Sequence, residues 1–187
     1  MNRAFHCLSQ SRLFHQCRNI TVFALLFSIL SNTGIVCAGP NEVWLIDPGQ
    51  SFGAISIGDD FSEVRKILGN PDKKKEVQNG LLMKYDKAGI VVQVNGATNR
   101  VQFIGATVTS SNSRIYKTKD GISVGKERAG VEKIYGAATS IIKSQSRDIY
   151  PDSQEVALYV SRGIAFHYDT GNKVVVILVF DPSIFSR

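Results

Sequence analysis

A gapless offset of 67 residues links two stretches of this 187-residue chain. Ile55-Ser56-Ile57-Gly58 returns as Ile122-Ser123-Val124-Gly125. The same offset pairs Val64 with Val131, Lys66 with Lys133, Ile67 with Ile134 and Gly69 with Gly136. Chance supplies roughly one identity in such a window, and seven occur, so the stretches read as copies. The match resumes downstream, pairing Tyr85 with Tyr159, Gly89-Ile90 with Gly163-Ile164, and Ile104 with Ile177. The second copy's extra residues fall in 137–156, a polar stretch that reads as an exposed loop.

Each copy has one element order. A short strand (54–57 or 121–124) ends at a glycine, and a helix follows at 60–68 or 127–135. Asp60 is placed to cap the first helix, with Glu63 as its partner three residues on. Gly69 and Gly136 follow the last apolar helical residues, where a left-handed C-cap is expected. Three strands follow in each copy, near 81–85, 89–95 and 100–108, then near 155–160, 163–169 and 173–180. Residues 109–119 read as a polar linker. The expected class is α+β, with two tandem repeats, each a short strand, a helix and a three-stranded antiparallel sheet. The expected divisions are 1–38, 39–110 and 111–187.

The first 38 residues read as an address. Arg3, Arg12 and Arg18 precede an eleven-residue apolar run, Ile20 to Leu30, with no acid among them. The run is too short to span about 30 Å of hydrocarbon as a helix. Val36 and Ala38 then supply the small-residue exit of a secretory signal. An uncleaved anchor would use the same residues, usually with a longer apolar run. Ile35-Val36 is a poor lead-in to a lipidated Cys37, and no arginine pair marks the twin-arginine route.

Cleavage after Ala38 would change the chain's chemistry. Cys7, Cys17 and Cys37 would all be lost, leaving no thiol chemistry or disulfide framework. Three of the 22 basic residues and none of the 16 acidic ones lie in the leader, so the formal charge falls from +6 to 19 − 16 = +3. A balance that mild does not predict nucleic-acid binding. The expected location is periplasmic or secreted.

The phrase Ile57-Gly58 … Val64 … Leu68-Gly69-Asn70-Pro71, echoed by Val124-Gly125 … Val131 … Tyr135-Gly136, resembles two families. One is the outer-membrane assembly lipoproteins called SmpA/OmlA or BamE. The other is the tandem β-lactamase inhibitor proteins. The resemblance covers most of 52–180. It implies a helix-plus-sheet build, an envelope location and, from the inhibitors, a concave sheet that meets another protein. Here the hairpin at Asn95-Gly96-Ala97-Thr98-Asn99 lacks the acid that inhibition would use.

Catalytic patterns are sparse. His167 is the one histidine after residue 38, and no serine sits in a nucleophile elbow. Strand alternation sets His167 with Ala165 on one face, as a partly exposed sheet residue. Asp59-Asp60 lacks the alternating acids of a calcium loop. Lys73-Lys74-Lys75 reads as a solvated loop. No cofactor and no catalytic or metal-ligating residue is expected.

Function is expected from apolar sheet surface instead. Residues 173–180 run Lys-Val-Val-Val-Ile-Leu-Val-Phe without the alternation of a half-wet strand. Either the other repeat or a partner protein covers the second face. His167, Val175, Ile177 and Val179 are the candidate partner contacts. The leading expectation is an exported, non-enzymatic protein-binding or envelope-assembly module acting through its sheets. A small-ligand or lipid carrier with a cleft between the repeats is the second. A hydrolase using His167 is the third.

Overall fold

Runs of valine, isoleucine and aromatic residues set most of the strands, and the computed structural model describes residues 43–107, 115–145 and 148–185. The leader, Cys37 and the first part of the expected linker, 109–114, lie outside the described residues. In chain order the elements are β1 (Val43–Asp47), β2 (Ser51–Phe52), β3 (Ile55–Ser56) and α1 (Phe61–Leu68). Then come β4 (Lys73–Val77), β5 (Gly80–Tyr85), β6 (Ile90–Asn95) and β7 (Val101–Thr107). After them stand β8 (Ile115–Thr118), α2 (Arg128–Tyr135), β9 (Ser140–Lys143), β10 (Glu155–Tyr159), β11 (Ile164–Tyr168) and β12 (Val174–Phe180).

This corrects the α+β expectation. The fold is mostly β, with twelve strands in two sheets and two short helices among the described residues. There is no pair of separate three-stranded sheets. Eight strands form one continuous sheet in the order β4-β5-β6-β7-β12-β11-β10-β9. Its seam is the antiparallel pair β7 and β12, with Phe103 opposite Phe180 and Thr107 opposite Val176. A smaller sheet runs β3-β2-β1-β8, with β1 and β8 parallel.

Five elements, the two-residue β2 among them, stand where the sequence suggested loop, linker or nothing. The Lys73-Lys74-Lys75 run is strand β4, on one edge of the large sheet. Lysines are a standard defence of an edge strand against unwanted pairing. The opposite edge, β9, lies inside the stretch read as an exposed loop. Strand β8 occupies the end of the expected linker, and β1 precedes the first expected strand. Residues 121–124 form no strand, and Ser123 makes only an isolated bridge to Lys117.

The core lies on one face of the large sheet. Val64 of α1 and Val131 of α2 are fully buried there, with Ile90, Val92, Ile104, Phe166, Tyr168, Ile177 and Val179 of the sheet. Trp44, Phe52 and Tyr116 bring the small sheet into the same core, Tyr116 edge-on to both other rings. The Tyr116 hydroxyl donates to the Ala88 carbonyl. Asp60 caps α1, its carboxylate accepting from the Ser62 N–H at 2.9 Å, which holds that carboxyl below its ordinary pKa. Glu63 pairs with Lys66 at 2.7 Å instead of closing a capping box. Gly69 and Gly136 end the helices at φ 79° and 77°, with ψ −152° and −160°. That is an extended, glycine-only conformation and not the left-handed helical one expected.

Candidate functional site: an apolar trough on the open sheet face

The second face of the large sheet carries neither α1 nor α2, and only the short 3-10 turn Pro182–Phe185 packs on one end of it, setting Ile184 and Phe185 by Phe180. Alternation sends Leu82, Val91, Gln93, Phe103, Gly105, Val156, Leu158, Ala165, His167, Val176 and Leu178 to this side. One cross-strand row reads Lys73, Lys84, Val91, Gly105, Leu178, Ala165, Leu158. Large side chains flank two very small ones in this row, and Tyr150 and Leu178 fill the space over Gly105. Beside them lies a trough of about 300 Å³, with Leu82, Phe103, Ile142, Val156, Leu158 and Leu178 among its apolar walls. A larger recess of about 950 Å³ lies near Gln78, Asn95 and Asp181, but its lining is mostly polar.

The segment 148–153 forms one wall. Ile149 and Tyr150 lie on the sheet against Val91 and Val176. A Cβ on Gly105 would come within 2.6 Å of the Tyr150 hydroxyl oxygen, so glycine there leaves room for the ring. Asp148 pairs with Lys75 of β4, tying the segment to the far edge of the sheet. Burial pushes the Tyr150 phenol pKa up.

His167 is buried, not partly exposed as expected, because this segment covers it. The Ser153 hydroxyl is 2.9 Å from its Nδ1, and the Tyr150 ring meets it edge-on at 5.3 Å. Burial pulls the imidazole pKa down from 6.5 to about 4, so the ring is neutral at physiological pH. Ser153 is fully buried. The pair pins the segment to the sheet.

The other expected partner contacts divide by face. Val175 is half-buried and lines a recess of about 190 Å³ beside Lys84 and Asp86. Ile177 and Val179 are fully buried on the helix side. They touch the chain's own core and present nothing outward. Their neighbour Leu178 points into the trough. Sequence reading passed over Leu178, Leu158, Val156 and Phe103. The alternation of β10 and β12 carried that signal, and the near-continuous apolar run of β12 hid it. Tyr150 was hidden by its polar surroundings.

On the helix side, Tyr135, Tyr159 and Phe166 form an aromatic cluster with centroids 5.3–5.8 Å apart. The Arg128 guanidinium stacks 4.4 Å from the centre of Tyr168 and pairs with Glu155 at 2.7 Å. These groups tie α2 to the sheet. No three His, Cys, Asp or Glu side chains converge as a metal site among the described residues. No helix among them is long and apolar enough to cross a membrane.

No family model matches the chain, and no curated protein matches it. Among solved structures, it is similar to an extracellular protein containing an SCP domain from Bacillus anthracis. That match has 11% identity and a TM-score of 0.45, covering 68% of this chain and 45% of that one. It is also similar to a cysteine-rich secretory protein from Staphylococcus aureus, at 13% identity and a TM-score of 0.45. There the match covers 78% of this chain and 51% of that one. The chain thus spans about half the length of these structures.

Proposed function

We propose that this chain is an exported, non-catalytic binding module that holds a partner protein against the open face of its eight-stranded sheet. The observation that carries this reading is the apolar trough, with Phe103, Leu158 and Leu178 among its walls, on the face that neither α1 nor α2 covers. Ordered apolar walls with a few polar groups are the ordinary make-up of a binding recess. Here Gln93, Gln145 and His167 supply the polar groups. The partner's location would be the envelope or the exterior, as the leader at 1–38 suggests. A photo-crosslinking residue at Gln93 tests it in the cells that make the protein. A discrete adduct is expected from Gln93 and none from Glu132 on α2. Equal or absent labelling at both sites overturns the reading.

A second reading, a carrier of a small apolar ligand, is supported by the trough's volume and its side wall of Ile149 and Tyr150. Native mass spectrometry of freshly isolated protein tests it, with retained mass expected.

A further inference from the structure

We propose that the trough takes the alkyl chain of a single-chain anionic amphiphile, with its head group at a lysine recess on the β4 side. This rests on the small-ligand reading above. The trough and the recess are neighbours, since Leu82 and Ile149 line both. The recess holds about 140 Å³ and is lined by Lys73, Lys75, Lys84 and Asp148 as well.

Strand register explains the charge. Lys73 lies opposite Lys84, and Lys75 lies opposite Leu82, so these three lysines share the open face with the trough. Lys74 turns to the other face, over the Phe61 ring at 6.0 Å. Asp148 is the one carboxylate lining this recess, while Asp86 and Asp152 line the adjoining recess that Lys84 also reaches. Asp148 pairs with Lys75, and Asp86 pairs with Lys84 at 2.8 Å. Lys73 makes no ion pair among the described residues, and its field acts on Asp86 from a distance. The recess therefore keeps a positive surplus beside the apolar trough. An anionic head gains there by displacing or joining Asp148, and a cationic head is repelled. A carboxylate and a phosphate share this chemistry.

Calorimetric titration of the purified chain with four twelve-carbon amphiphiles, below their micelle concentrations, decides the matter. The probes are dodecanoate, dodecyl phosphate, dodecyl maltoside and dodecyltrimethylammonium. Dodecanoate and dodecyl phosphate are expected to bind one-to-one, at least tenfold tighter than the other two. Their relative affinity separates a carboxylate preference from a phosphate one. Lys73→Gln with Lys84→Gln is expected to cut anion affinity at least fivefold and leave the maltoside unchanged. Methyl NMR shifts of Leu178 on adding dodecanoate locate the chain in unaltered protein. Equal binding of all four heads overturns the proposal and leaves a carrier reading standing. Binding of none overturns both. Shifts confined to residues outside the trough also overturn it.

Discussion

The Tyr150 hydroxyl stands over Gly105 so closely that a single added methyl would lie 2.6 Å from it. A residue from the segment after β9 thus depends on the absence of a side chain in β7. Gly105→Ala is expected to cost about 1–3 kcal/mol through overpacking. Tyr150→Phe removes the offending oxygen. The double variant should therefore be less destabilised than the sum of the singles, although Leu178 Cδ1 at 3.2 Å keeps some crowding. Urea unfolding of the four proteins measures the coupling, and strict additivity would refute it.

Neighbouring residues of β12 should respond differently to mutation. Ile177 is fully buried among the helix-side core, and Ile177→Ala should cost about 2–5 kcal/mol. Leu178→Gln changes the trough wall and should lower ligand or partner affinity with a smaller loss of stability. Parallel denaturation and binding measurements separate the two effects.

The helix-ending glycines isolate a backbone effect. No atom lies within 4 Å of a Cβ built on Gly69 or Gly136. Steric contact therefore predicts no penalty for alanine. Their φ and ψ values predict one of about 1–3 kcal/mol at each site. Thermal unfolding of Gly69→Ala and Gly136→Ala distinguishes these expectations.

His167 gives a pH dependence of definite sign. Its folded pKa of about 4 lies below the ordinary 6.5. Between those values the unfolded chain binds the extra proton, so stability rises with pH. The contribution is complete above 6.5 and is lost as pH falls toward 4. Subtracting the unfolding free energy of His167→Gln from that of the parent, across this range, should reveal the slope. A flat difference would show that the ring is not kept neutral.

Export predicts a new N-terminus. Intact-mass measurement of protein from the source cells should give a chain starting at Gly39. Mass spectrometry that finds residues 1–38 still attached would contradict the leader reading.

Legibility followed local chemistry. Phe61–Leu68 and Arg128–Tyr135 were bounded within a residue, because glycines and the apolar spacing of Val64 and Val131 mark them. Six of the eight large-sheet strands were placed from turns such as Asp169–Asn172. The missed edges, β4 and β9, have weak local signals, one from lysines and one from polar flanks. The seam was invisible for another reason: which strands of two hairpin runs pair is a long-range property. Missing it produced two small sheets instead of one. His167 was assigned to the correct face but given the wrong exposure, because its cover, 148–153, reads as solvent-facing loop.

The seam also bears on how the chain folds. The β7–β12 ladder joins Phe103 to Phe180 across 180 − 103 = 77 residues, so it closes only after α2 and the last strands exist. Loop closure of that length slows folding and leaves β7 as a bare edge while synthesis continues. A fragment ending before β12 would leave Phe103 to Thr107 along an exposed edge, paired to β6 on one side only. Co-expressed halves, by contrast, have a ready-made place to rejoin. The same ladder that makes the large sheet continuous makes the nascent chain vulnerable until its last strand is released.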